Sequence, residues 1–428
     1  MRHAPISSKL FVENRQRLRA LLPPKSVAIL NANDIPPTNA DGTMTGVPNS
    51  DFFYLSGVEQ EDSILVIAPD AHEEKHREIL FLRETNDHIA RWEGRKLSKE
   101  EARKLTGIQT IMWLEEFPLM QRLLMCQSDA VFLNSNEHAR ADVQVESRDA
   151  RFIRRIREAF PLHRYERLAK LMHQLRPVKS AAEVELIKKA CGITRDAFLR
   201  VLKFVKPGVN ECEIEAEFAH EFIRQRGRFA YNPIIASGAG ANVLHYVSND
   251  QPCRKGDVLL LDVGAAYANY AADMTRTIPV GGKFTKRQKQ VYQAVLRVMR
   301  GCIAELKPGT LPRDWQKTAE RLMQEELLEL ELLKPKDIKK QDPDRPALKK
   351  YFMHGVGHPL GLDVHDIATI GEPMQAGWVM TVEPGIYLPD EGFGIRLEND
   401  VLITADGQVD LMADIPVEAD EIEDLMND

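Results

Sequence analysis

The chain has 428 residues, 43% apolar and 28% charged, with 57 basic and 64 acidic side chains and a net charge of −7. These proportions describe a globular chain long enough for two cores. They offer no basic stripe for nucleic acid and no apolar run approaching the ~18 residues of a membrane span.

Residues 8–22 place Leu10, Phe11, Leu18 and Leu21 at helical spacing, and Pro23-Pro24 ends that segment. The opening stretch lacks the apolar core of a signal peptide. Cys126, Cys191, Cys212, Cys253 and Cys302 are scattered, odd in number and without CxxC spacing. They read as reduced thiols and imply a cytoplasmic location. Strands are expected at 26–30, 63–68 and 79–82, with a polar helical stretch at 99–105. The alternation predicts an open α/β domain over residues 1–175. No catalytic set clusters within it, so a structural or capping role is expected.

Arg176-Pro177-Val178-Lys179-Ser180 marks a boundary, and Ser180 with Glu183 forms a capping box. A helix over 181–204 should end at Lys206-Pro207-Gly208, with a second over 213–226. The pattern recurs: a helix over 288–306, Lys307-Pro308-Gly309, then a helix over 311–331. Leu199-Arg200-Val201 before the first turn is echoed by Leu296-Arg297-Val298 before the second. Residues 176–428 therefore read as one domain of two repeated halves. The charged segment 334–350 reads as a surface excursion.

Each half ends in a hairpin-like pattern with acids inside apolar strands. Asp262 and Asp273 are centred on the stretch 265–270, and Glu383 and Glu398 on Asp390-Glu391. Residues opposite each other in a hairpin share a face, so each hairpin is expected to present two acids side by side. Buried acids need a partner or a metal. Between the halves' strands runs 351–366, YFMHGVGHPLGLDVHD, with His354, His358 and His365 among glycines. Gly355 stands where a helical HExxH zinc motif needs glutamate. One imidazole joined to four carboxylates suits two divalent ions of hard or borderline character: manganese, cobalt or zinc.

These motifs, with TVEPGIY (381–387) and RLEND (396–400), resemble the metal-dependent aminopeptidases of pita-bread fold, most closely the Xaa-Pro aminopeptidases and the neighbouring Xaa-Pro dipeptidases. NSDFFYLSGVEQEDSILVI (49–67) and RWEGRKL (91–97) resemble the N-terminal domain of the aminopeptidases. The fold class implied is an α/β N-terminal domain plus an α+β pita-bread catalytic domain with an internal pseudo-two-fold repeat. The resemblance implies a proline-specific exopeptidase acting through a hydroxide bridged by two metal ions. Asp262, Asp273, His358, Glu383 and Glu398 fall on its ligand positions, with Asp273 and Glu398 bridging. His245 and His365 fall on its active-site histidines, and Glu383 on its proton shuttle. His354, Tyr387 and Arg396 fall on outer positions. The family also implies a homodimer or homotetramer in which the N-terminal domain closes a neighbour's site, and Asp51 and Trp92 lie in the stretches concerned. Small departures occur: Asn399 stands where an acid is common, Ile367-Ala368 where Val-Gly is frequent, and Val247 where threonine is common. None removes a ligand. The alternatives are an Xaa-Pro dipeptidase on the same fold and an inactive binding homologue; the intact ligand set argues against a metal-free creatinase-like enzyme.

Overall fold

The computed structural model describes residues 3–44, 46–342, 345–369 and 371–428. Pro343 and Asp344, in the charged excursion, lie outside the described residues. The chain divides into two compact units, His3–Arg176 and Pro177–Asp428.

The first unit opens with α1 (Ser8–Leu21), which buries Leu10, Phe11 and Leu18. β1 (Ser26–Asn31) follows and is buried along its whole length. α2 (Ser50–Ser56) was not evident from periodicity, because Phe52 to Ser56 are all buried and leave no polar face. Asn49 caps it, and Gly57, in the left-handed region (φ 70°), closes it. The unit continues with β2 (Ile64–Ile67), β3 (Glu78–Leu82), α3 (Asp87–Glu93), α4 (Lys99–Thr106), β4 (Thr110–Trp113), α5 (Phe117–Met125), β5 (Ala130–Leu133), α6 (Arg148–Ala159), β6 (Arg164–Arg167) and α7 (Ala169–Leu175). Its six strands form one sheet in the order β4-β3-β2-β1-β5-β6. Pairing is parallel at β3–β4, β1–β5 and β5–β6, and antiparallel at β1–β2 and β2–β3. Val27, Ile29, Val66, Phe81, Phe117 and Phe152 pack together as its core. Covered central strands are read as unbroken apolar runs.

In the second unit α8 (Ala181–Phe204) starts at the Ser180–Glu183 capping box and is followed by α9 (Glu211–Arg224). Then come β7 (Arg228–Phe229), β8 (Ile234–Ser237), β9 (Val258–Asp262), β10 (Ala265–Tyr267), β11 (Tyr270–Ala271) and β12 (Thr275–Pro279). The second half repeats the plan with α10 (Lys286–Ala304) and α11 (Pro312–Glu329), a short α12 (Pro335–Lys339), then β13 (Val379–Val382), β14 (Gly385–Leu388), β15 (Phe393–Arg396), β16 (Asn399–Thr404) and β17 (Gly407–Asp410). α13 (Ala419–Asn427) closes the chain. The repeated Lys-Pro-Gly turns have one physical cause: Gly208 (φ 97°) and Gly309 (φ 90°) both take left-handed conformations that glycine adopts without a Cβ penalty.

Antiparallel strands β12-β9-β8 and β13-β16-β17 carry the acids, with β14-β15 beside them. One expected register is corrected. Asp262 pairs with Thr275, not with Asp273. Residues 265–271 form the hairpin β10–β11, turned at Ala268 and Asn269, both left-handed, as a two-residue turn requires. That shifts the centre one residue along the chain. Asp273 still differs from Thr275 by an even step, so it faces the same way as Asp262. In the second half the two ladders β13–β16 and β14–β15 share one register. Glu383 and Glu398 fall opposite each other in the gap between them, as expected.

Gly264 shows how tightly this hairpin is closed. A Cβ there would lie 1.8 Å from the Ala272 carbonyl oxygen. Gly264→Ala should destabilise the protein by about 1–3 kcal/mol, the scale of overpacking. Gly281→Ala, where the nearest neighbour would be Lys255 at 3.7 Å, should stay within about 0.5 kcal/mol of the parent. Denaturant melts of the two variants make the comparison, and equal midpoints would contradict it.

Candidate active site

Asp262 ends β9 pointing at two donors. Its Oδ1 accepts from the Tyr231 hydroxyl at 2.7 Å and its Oδ2 from Arg396 Nη2 at 2.6 Å. The same Tyr231 oxygen lies 2.6 Å from Asp273 Oδ1, so one phenol proton is shared between two carboxylates. Burial and those two negative neighbours push the Tyr231 phenol well above its ordinary range. The backbone N–H of Asp273 donates to Asp400 Oδ2 at 3.0 Å, which fixes the residue just before β12 begins.

His358 is seated by the strand beside it. Its backbone N–H donates to Thr381 Oγ1 at 3.0 Å, and the Thr381 N–H donates back to the His358 carbonyl at 2.9 Å. Gly357 is a glycine for the same reason, since a Cβ would meet the Thr381 carbonyl oxygen at 2.0 Å. His358 Nδ1 lies 3.0 Å from the Pro359 carbonyl, an orienting bond that directs Nε2 toward the acids. Nε2 is 3.5 Å from Asp273 Oδ2 and 3.7 Å from Glu383 Oε1. Burial acts to lower the imidazole, but Asp273 and Glu383 outweigh it and hold His358 up at about 9.

Glu398 is buried at 2% exposure and accepts from the Thr275 hydroxyl at 2.7 Å. Burial and the charges of Asp273, Glu383 and Asp262 drive it well above the usual carboxylate range. Burial likewise pushes Glu383 up to about 7 although His358 and Arg396 stand near it. Donor atoms of Asp273, His358 and Glu398 all lie within 4.8 Å of one another. Four carboxylates crowding one imidazole and one guanidinium leave a deficit of positive charge. This oxygen-rich donor set fits divalent cations.

Around the acids runs a relay of hydrogen bonds. Arg396 Nη1 donates to Tyr387 Oη at 2.8 Å, and Tyr387 Oη lies 2.8 Å from His354 Nε2. His354 Nδ1 lies 2.8 Å from the Gly355 carbonyl and 3.9 Å from Glu383 Oε2. Burial and Arg396 press His354 down to about 4, so it is neutral near pH 7. His365 is exposed, with its ring edge-on to that of His358 at 4.4 Å. His245 is exposed on the loop after β8, near enough to His354 to add to its depression.

The two residues tied to a neighbouring subunit differ. Trp92 on α3 is 77% exposed. Asp51 is largely covered and bonded to Arg176 at 2.8 Å within its own unit. Sequence reading passed over Tyr231, Thr275, Asp400 and the ion pair Lys179–Asp366. Lys179 Nζ lies 3.1 Å from Asp366 Oδ2, with both side chains 1% exposed. A Cβ on Gly361 would come within 2.1 Å of that carboxylate. Asp366, next to His365, was the visible signal; Tyr231, before Asn-Pro, reads only as a turn.

Residues 185–405 match the model of metallopeptidase family M24, and residues 11–132 match that of the aminopeptidase P N-terminal domain. The chain belongs to metallopeptidase family M24. Xaa-Pro aminopeptidase of Haemophilus influenzae is 32% identical, aligned over 99% of this chain and 98% of the relative. That of Escherichia coli K12 is 33% identical over 98% of each. Among solved structures, Pseudomonas aeruginosa aminopeptidase PepP superposes with a TM-score of 0.89 at 28% identity, covering 99% of this chain and 98% of the other. An Escherichia coli aminopeptidase P variant in complex with substrate gives 0.87 at 32% identity, covering 99% of both. The M24 chain described here is thus a metalloenzyme of two-domain aminopeptidase P architecture.

The crowded acids make metal and proton rivals. Glu383 binds its proton more tightly in the folded, metal-free protein, at about 7 against 4.5. That contribution is full below about 4.5 and is lost as pH rises through about 7; His358, raised from 6.5 to about 9, adds a loss of the same sign at higher pH. Chelated protein should therefore melt progressively lower from pH 5 to pH 9. The gain in midpoint on adding manganese should be larger at pH 8 than at pH 5. A gain that is constant or absent across that range would contradict the site.

Proposed function

We propose that this M24 metallopeptidase removes the N-terminal residue from peptides whose second residue is proline, using two divalent cations, manganese first and cobalt or zinc as alternatives. The reading is carried by the convergence of Asp273, His358 and Glu398 from both repeated halves, in a chain similar over nearly its whole length to Xaa-Pro aminopeptidases. Asp262, Asp273, His358, Glu383 and Glu398 would hold the cations, with Asp273 and Glu398 shared between them. When bound, the pair would supply a nucleophile from water at neutral pH and polarise the carbonyl before proline.

The chain's own groups then divide the work. Glu383 is the proton carrier: its side chain is 22% exposed, against 7% for Asp273, so it can reach both the attacking water and the leaving proline nitrogen. His365 and His245, both exposed, face substrate and donate to the carbonyl oxygen as charge develops there. Arg396, Tyr387 and His354 orient the acids through their relay. The prolyl nitrogen leaves as an amine, so it must take up a proton as the C–N bond breaks. Five unpaired cysteines accord with a cytoplasmic location, and among the described residues no helix is long and apolar enough to cross a membrane.

Release of the first residue from an X-Pro-Y tripeptide, with little cleavage of an X-Pro dipeptide, tests the assignment. Activity should vanish on chelation and return with manganese; the reverse substrate preference would make the chain a dipeptidase. Asp273→Asn and Glu398→Gln should lose both metal and rate. His365→Ala should keep its metal and lose about 10²–10³ in kcat/KM.

Trp92 and the first unit are assigned to a homodimer or homotetramer in which the tryptophan lies near a neighbouring subunit's site. Aromatic residues are enriched where partners meet. Trp92→Ala should weaken cleavage of longer peptides more than the assembly. Light scattering showing a fully active monomer would remove this assignment.

A further inference from the structure

The segment between β8 and β9 carries His245 and has little regular structure beyond one short 3-10 turn, Gly238–Asn242. A catalytic group on a loop acts only if the loop is held to within a fraction of an ångström. The holding group here lies on α9. Glu211, the first residue of that helix, is 0% exposed. Its Oε1 accepts the backbone N–H of Ser237 at 2.7 Å, where the loop begins. Its Oε2 accepts the hydroxyl of Tyr246 at 2.8 Å and the backbone N–H of Gln251 at 2.9 Å. One carboxylate thus ties the start, the middle and the return of the loop. Three donors also make its burial tolerable, since a charged acceptor strengthens each bond.

The neighbouring contacts point the same way. One turn along α9, Glu215 Oε2 accepts from Asn249 Nδ2 at 2.9 Å. Asn249 takes a left-handed conformation (φ 47°), donates to the Pro233 carbonyl at 3.0 Å and accepts the Ile235 N–H at 3.0 Å. The Tyr246 ring packs on Ile234, Ala236, Ala241 and Leu260. The 3-10 turn is pressed onto β15, where a Cβ on Gly394 would lie 2.7 Å from the Ala241 carbonyl oxygen, two residues before Arg396. These contacts anchor the loop on both sides of His245, while the imidazole itself stays exposed.

We infer that Glu211 is a positioning residue for the peptidase reaction, acting through the Tyr246 hydroxyl to hold His245 at the substrate carbonyl. The inference rests on the role proposed above for His245. Tyr246→Phe removes the hydroxyl, with its bond to Glu211 and a longer one to Asp250 at 3.4 Å, and keeps the ring that packs, so it tests the link with little risk to folding. In manganese-loaded enzyme acting on an X-Pro-Y tripeptide, it should lower kcat about tenfold, the scale of losing an orienting partner. KM, metal content and thermal midpoint should stay near the parent's. Glu211→Gln, which places an amide against three donors, should lower kcat further.

The deciding measurement is the pair with His245→Ala. If Tyr246 acts through His245, then His245→Ala/Tyr246→Phe should have the kcat of His245→Ala alone. Multiplied losses in the double variant would overturn the inference while leaving the role of His245 intact. So would full activity in Tyr246→Phe. A His245→Ala enzyme with the parent's rate would instead remove the role of His245, and with it the reason for holding the loop.

Discussion

Mutual repulsion among buried acids is the constraint on which the second unit is built. Asp262, Asp273, Glu383 and Glu398 crowd around one imidazole, and burial drives at least three of them toward the protonated form. Three of the four carboxylates are gripped by hydrogen bonds: Asp262 by Arg396 and Tyr231, Asp273 by the same Tyr231, and Glu398 by Thr275. Much of the remaining architecture serves those grips. The strands are paired so that their acids share a face, and Gly264 and Gly357 lie where one backbone must pass within touching distance of another.

The domain plan was legible because it repeats. Two helix pairs joined by the same Lys-Pro-Gly turn, followed by strands with an acid at corresponding places, cannot easily arise from composition alone. The second hairpin was read in the right register because its centre is a compact acidic turn, Asp390-Glu391. The first was misplaced by one residue, since Ala268-Asn269 lacks the glycine that usually announces a two-residue turn. α2 escaped detection for the complementary reason: a helix covered on all sides has no stripe.

The clustered acids themselves could be picked out, because a charged side chain within an apolar run is conspicuous. Their supports could not. Tyr231, Thr275 and Asp400 are ordinary residues for a strand or turn, and what makes them matter is proximity across the fold. Thr275 and Glu398 are separated by 123 positions, and Asp273 and Asp400 by 127. Only the folded chain brings them together. The same holds for the α9 contacts to the His245 loop, which no local spacing announces.

The ion pair between Lys179 and Asp366 spans 187 positions and is sealed from water at both ends. It ties the opening residues of the second unit to the histidine loop near its end. A polypeptide emerging from the ribosome therefore carries an unmated lysine through most of its synthesis. The acid cluster is likewise assembled from both halves, and is complete only once Glu398 has been made. A fragment trimmed to begin beyond Lys179 would lose the lysine that faces buried Asp366, and breaking a buried pair from one side costs about 3–5 kcal/mol.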